Sequence, residues 1–226
     1  TKNKNDEFYP IENYNKEQSL KSYNHFKKHF SKSILINDKL GTLISKQKAT
    51  NKIREFSIKR SILNDRKQEN LYLEFGVHSG KSINYLSKFL TTKIYGFDSF
   101  TGLKEDWLGS KNPIGSMDLK GQVPKVRSNV EIIKGEVEDT LENFLMENRR
   151  KINFVHMDMD VYKSSKFVLQ KIKPFLSSGC IILFDELYNF AGWEEGEYKA
   201  LIEVFEENEY KYLAFTNFEK VTIQII

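Results

Sequence analysis

Residues 71–82 read LYLEFGVHSGKS. A short apolar run broken by one acid leads straight into a glycine turn and the polar start of an amphipathic segment, the pattern of a buried strand that turns directly into a helix. Gly76 and Gly80 stand four apart, and Glu74 stands two before the first of them. A dinucleotide-binding turn wants three glycines, G-x-G-x-x-G, so that the backbone can cradle a pyrophosphate at a helix N-terminus. Here Glu74 occupies the first of those positions. A carboxylate facing two phosphates would be repelled, but it suits a ligand carrying an ammonium and a sulfonium, as S-adenosylmethionine does. The amino-acid carboxylate of that ligand would take the amides and hydroxyl near Gly80 and Ser82. Glu74, Phe75, Gly76, Val77, Gly80 and Ser82 are therefore the candidate cofactor residues of this turn.

Outward from it, short apolar runs alternate with amphipathic segments, which predicts an α/β fold with a mostly parallel, doubly wound sheet. Strands are expected at 71–77, 93–97, 130–134, 152–157 and 180–184, and helices at 81–89, 138–149, 163–176 and 195–208. The last two runs, 210–216 and 220–226, are joined by the short turn 217–219 and predict an antiparallel edge hairpin. Class I methyltransferases end this way, whereas a plain dinucleotide domain continues in parallel. Residues 1–70 are polar and carry helical patterns near 16–30 and 44–63, with Ile53, Phe56, Ile58 and Ile62 at helical spacing. They read as an N-terminal helical extension to a domain spanning 71–226. The irregular stretch 101–129 follows the second strand on the carboxyl edge of the sheet, where ligands bind, and is expected to be a lid or binding loop.

Two further groups fall on that edge. Asp98 ends the second strand, 22 residues after Gly76, where an acid can accept both ribose hydroxyls or merely cap the strand end. Gly135, Glu136 and Val137 close the third strand, where the adenine is expected, although a simple turn has the same form. In FVHMDMD, the period of two puts His156, Asp158 and Asp160 on one side of an extended chain, and the fifth strand delivers Asp185 and Glu186 beside them. Four carboxylates at adjacent strand ends repel unless a cation stands between them, and oxygen-rich sites suit Mg²⁺ or Ca²⁺. Such an ion could favour the alkoxide of a substrate hydroxyl, leaving another carboxylate as general base. Each acid singly could instead be a helix cap. His156 is expected to be a hydrogen-bonded core histidine, and Tyr162 and Trp193 either line a substrate pocket or pack. Ser164 and Ser165 read as helix-start residues.

Composition narrows the class. With 226 residues, 39% apolar, 13% aromatic and 29% charged, the chain suits one globular catalytic domain with a short appendage rather than a disordered chain. It has no apolar run near the ~18 residues a membrane span needs and no apolar stretch behind the polar start 1–6, so a cytoplasmic protein without a membrane partner is expected. Cys180 is the one cysteine, at the head of an apolar run, and reads as a small buried hydrophobe. The net charge of +4 is spread among nearly equal numbers of acids and bases, and the His25–His29 cluster lacks any RNA-binding motif, so no nucleic-acid partner is expected.

Read in order, LEFGVHSGKS, YGFDSFTGLKEDW, VEIIKGEVEDTL, VHMDMDVYKSSK and ILFDELYNFAGWEEGEYKA resemble the TylF/MycF-like group, the macrocin O-methyltransferase-type enzymes. The resemblance covers about 71–226. It implies a Rossmann-like class I fold and methyl transfer from S-adenosylmethionine to a hydroxyl of a sugar, glycan or other secondary metabolite, with Mg²⁺. By position, Asp158, Asp185 and Glu186 look like metal ligands and Asp160 like the base. Glu74, Gly76, Gly80, Ser82, Asp98 and Ser99 look like the cofactor site, with Asp158 at its border. In related enzymes, extensions such as 1–70 cover the site or build oligomers, so a homodimer or higher homo-oligomer is compatible with the chain. Two other readings remain: an NAD-dependent oxidoreductase, disfavoured by Glu74, and a non-catalytic cofactor-binding protein, disfavoured by the four gathered carboxylates.

Overall fold

The computed structural model describes residues 16–36 and 43–226, so the expectation about residues 1–6 lies outside the described residues. Eight strands form one sheet: β1 (Ile34–Leu35), β2 (Leu71–Phe75), β3 (Ile94–Asp98), β4 (Val130–Lys134), β5 (Ile152–Met157), β6 (Leu176–Phe184), β7 (Tyr210–Phe215) and β8 (Val221–Ile225), in the order β1-β7-β8-β6-β5-β2-β3-β4. All neighbours run parallel except β8, which is antiparallel to both β6 and β7. The expected class I methyltransferase sheet is present, with its C-terminal hairpin. One detail was not foreseen: β1 pairs in parallel outside β7, so two residues of the N-terminal segment close that end.

Every residue of β2 and β5 is buried, which accounts for their mainly apolar, non-alternating sequences: a parallel sheet covered on both faces has no solvent side to alternate with, and Glu74, Asn153 and His156 are the buried polar exceptions. On one face, α4 (Val137–Glu147), α5 (Tyr162–Ile172) and α6 (Glu197–Val204) pack on Leu73, Phe75, Val155 and Phe184. On the other, α3 (Lys81–Leu86) and α2 (Leu43–Asn64) pack on Tyr72, Phe154 and Ile181. The N-terminal segment straddles the sheet. From α1 (Lys16–Phe30), Phe26 and Phe30 enter the first core, while Ile53 and Ile58 of α2 enter the second. The buried stripe of α2 also holds Ser57 and Ser61, whose hydroxyls bond to the carbonyls of Ile53 and Ile58, so its periodicity is faint in the sequence. Phe56 and Ile62 are only half-buried.

Two expected helices end early. The one at 163–176 stops at Ile172 and tightens into a single turn at Lys173–Phe175, where Pro174 lacks the N–H to continue it. The one at 195–208 is split into a turn at Trp193–Glu195, α6, and a turn at Glu207–Glu209. Strand β6 begins four residues before the expected 180, because Ser177, Ser178 and Gly179 carry no apolar signal. Among the described residues no helix is long and apolar enough to cross a membrane.

Candidate active site

At the carboxyl end of β2 the chain turns at Gly76, with φ of +85°. A Cβ there would lie 1.8 Å from the carbonyl oxygen of Asp158, so only glycine lets the end of β5 approach this closely. Asp98, at the end of β3, clamps the same turn: its Oδ2 accepts the amides of Val77 at 2.8 Å and His78 at 2.7 Å, and its Oδ1 accepts that of Phe100 at 2.7 Å. The capping role and a place in the cavity coexist, since a carboxylate has about four lone-pair sites.

A cavity of about 340 Å³ opens here. Of the residues expected from sequence, Gly76, Val77, Ser82, Asp98, Ser99, Gly135, Glu136, Val137, Asp158, Asp160 and Glu186 line it, and Ser164 joins them. Four do not. Glu74 is fully buried, accepting from the Ser82 hydroxyl at 2.7 Å and pairing with His156 Nδ1 at 3.0 Å, so its carboxylate points into the protein and not at a ligand. Phe75 stacks on Phe97 in the core, with ring centroids 4.9 Å apart. Gly80 sits beneath Pro124 and Val126, and Asp185 faces away into an ion-pair network. The stretch 101–129 supplies Gly102, Leu103, Lys104, Trp107 and Met117 to the cavity wall, so this loop does border the site.

The acids fall into two groups. Asp185 contacts Lys220 Nζ at 2.6 Å, Arg54 Nη2 at 3.1 Å and His156 Nε2 at 3.2 Å. Burial alone would raise its pKa, but Lys220 and Arg54, aided by His156, hold it well below the usual carboxylate range. His156 is the expected core histidine: burial disfavours its charge, yet Glu74 and Asp185 raise it to about 9, which makes it an imidazolium between two carboxylates. The second group is Asp158, Asp160 and Glu186, each offering a carboxylate oxygen within 4.8 Å of the others. Burial, then the charge of Asp185, raises Asp158 to about 7. Burial and neighbouring carboxylates push Asp160 and Glu186 well above their ordinary values. Glu186 Oε2 is buried with no hydrogen-bond partner, and Asp160 adopts a left-handed φ of +62°. Beneath them the fully buried Glu197 accepts the amides of Met159 and Glu186.

This corrects the expected metal set. Asp158, Asp185 and Glu186 do not share one point: Asp158 lies within reach of both, but Glu186 stands with Asp160, while Asp185 meets Arg54 and Lys220. His156, Asp158 and Asp185 also lie within 4.8 Å of one another, but His156 and Asp185 are already engaged in ion pairs. The chemistry of the open trio, three hard oxygens short of positive charge, fits a divalent cation. Arg54, Lys220, Glu197 and Trp107 were missed, since a lone Arg or Lys on an amphipathic element has the same appearance facing water or a buried acid. Tyr162 borders a neighbouring cavity, and Trp193 is packed against Phe26 and Tyr198.

A family model described as a methyltransferase domain matches residues 73–187, slightly more than half of the chain. No curated protein matches the sequence. Among solved structures, CalS11, a calicheamicin methyltransferase, superposes with a TM-score of 0.62 at 19% identity over 96% of each chain. Its apo form, a TDP-rhamnose 3'-O-methyltransferase, gives 0.60 at 20% identity over 96% of this chain and 99% of that one. The O-methyltransferase NovP gives 0.52 at 18% identity over 78% and 79%. At these identities the likeness is one of fold.

Proposed function

Because the chain belongs to the methyltransferase-domain family and has the fold of the class I, S-adenosylmethionine-dependent enzymes, we propose that it methylates a hydroxyl of a sugar, glycan or other secondary metabolite, as the TylF/MycF-like enzymes do. One observation carries the reading: the carboxylates of Asp158, Asp160 and Glu186 gather in a 340 Å³ cavity that the Gly76 turn, clamped by Asp98, also lines. In this reading 71–226 is the catalytic domain and 1–70 its helical extension.

S-adenosylmethionine supplies, when bound, a methyl group on a positively charged sulfur. Asp98 and Ser99 hold its ribose, Gly135, Glu136 and Val137 border its adenine, and Gly76, Val77 and Ser82 receive its amino-acid end. Glu74 positions this end indirectly, by fixing the Ser82 hydroxyl. A divalent cation would be held by Asp158 and Glu186, where it would supply the charge that favours ionisation of the acceptor hydroxyl. Asp160 takes the acceptor proton: it borders both the cofactor cavity and the adjoining one, so its carboxylate can reach an acceptor hydroxyl seated between them. The apolar wall from Leu103, Trp107 and Met117 excludes water from the reacting atoms.

Calorimetric titration with S-adenosylhomocysteine and with NAD tests the cofactor. Binding of the first and not the second is expected, and the reverse would end the reading. Methyl transfer to a panel of glycosides and nucleotide sugars, run with Mg²⁺ and with EDTA, then tests the acceptor class and the cation.

A further inference from the structure

A second cavity, of about 250 Å³, adjoins the first and shares Trp107, Asp160 and Val161 with it. One wall is the 105–108 turn of the long loop; the other comes from Phe190, Gly192, Glu195 and Lys199. The two walls meet backbone to backbone. A Cβ on Gly109 would lie 1.6 Å from the carbonyl oxygen of Ala191, and one on Gly192 would lie 2.4 Å from that of Leu108, so this closure needs both glycines. Trp107 and Phe190 form an aromatic corner, with ring centroids 6.4 Å apart and planes at 69°. The indole Nε1 of Trp107 is buried and has no partner, a donor awaiting an acceptor oxygen.

The charges of this cavity restrict what can enter. Glu105, Asp106, Asp160 and Glu195 line it against a single ammonium, Lys199. Lys199 is tied to Glu195 at 2.8 Å, and Lys163 is tied to Glu105 at 3.2 Å. Asp106 accepts the amide of Ile114, and Asp160 belongs to the carboxylate trio. Among the described residues lining this cavity, no cation is free to receive a phosphate. We propose that the cavity seats the methyl acceptor as an uncharged polyhydroxylated ring, packed in the Trp107–Phe190 corner, and that it rejects the same ring when linked to a phosphate or diphosphate. The inference rests on the methyltransferase reading and narrows it to a charge class unlike the TDP-rhamnose named for one structural neighbour.

The chain has two tryptophans, so Trp193→Phe leaves Trp107 as the sole indole reporter. This variant, saturated with S-adenosylhomocysteine, is titrated with the methyl α-glycosides of glucose, mannose, galactose and rhamnose, and with glucose 1-phosphate, TDP and pyrophosphate. At least one glycoside should quench or shift Trp107 fluorescence saturably, with each phosphorylated probe at least ~10-fold weaker, because like charges brought together in an interface cost several kcal/mol. Phe190→Ala should weaken the glycoside response by about 3–10-fold, the worth of an aromatic contact, and leave S-adenosylhomocysteine affinity unchanged. A phosphorylated probe that binds as tightly as the best glycoside overturns the proposal, as does silence from all four glycosides. Calorimetry with S-adenosylhomocysteine on the same sample separates the two levels: absent binding overturns the methyltransferase reading itself, whereas intact binding with phosphate preferred overturns only the acceptor assignment.

Discussion

Asp185 and Glu186 are adjacent in sequence and leave the same strand, yet they sit in opposite electrostatic surroundings. Asp185 lies between Lys220, Arg54 and His156, with its charge fully compensated. Glu186 stands with Asp158 and Asp160 and has an oxygen with no partner. A buried charge costs several kcal/mol unless paired, so the first arrangement holds the fold together and the second is tolerable only if protons or a cation complete it. The compensated group ties α2, β2, β5, β6 and β8 at one point. The uncompensated group faces the cavity, where a ligand's charge can reach it.

The contrast can be broken in order of effect. Asp160→Asn should lower methyl transfer by ~10²–10⁴-fold, the usual worth of a positioned base, while S-adenosylhomocysteine affinity stays the same; full activity in a steady-state assay would move the base elsewhere. Lys220→Met should lower unfolding stability by about 3–5 kcal/mol, because it removes the shortest of the three ion pairs that hold a buried carboxylate. If urea denaturation gave a loss under about 1 kcal/mol, the range of exposed pairs, the compensated network would be no more than a surface feature.

For the other group the sign should reverse. Glu186→Gln removes an unpaired buried charge, so the cation-free protein should unfold at higher urea than the wild type. Mg²⁺ at a hundred times its Kd should stabilise the wild type by about 2.7 kcal/mol and the variant hardly at all. An equal Mg²⁺ effect on both would exclude Glu186 as a ligand. Asp98→Ala has the smallest expected effect, weakening S-adenosylhomocysteine by roughly 1–3 kcal/mol as a ribose hydroxyl loses its charged acceptor. It also frees the amides of Val77 and His78, so a thermal melt should fall with it. Unchanged affinity with a lowered melt would leave Asp98 as a clamp alone.

What could be read from the chain alone was whatever depends on local pattern. The mainly apolar run at 152–157 coincides with β5, because a strand covered on both faces needs no polar alternation, and 130–134 coincides with β4, the partly exposed edge strand where Glu131 and Lys134 are tolerated. Gly76 marked the turn, since the approach of a neighbouring backbone tolerates no Cβ. Asp98, Asp158, Asp160, Asp185 and Glu186 were placed at strand ends on the carboxyl edge, which follows from the βα alternation itself. The tertiary structure decided where their carboxylates go. Glu74 turns inward to Ser82 and His156, and Asp185 pairs with Arg54 and Lys220, 131 and 35 residues away. Strand alternation fixes which face a side chain leaves from, but not what it meets there: the partners of Glu74 and Asp185 are brought by elements distant in the chain.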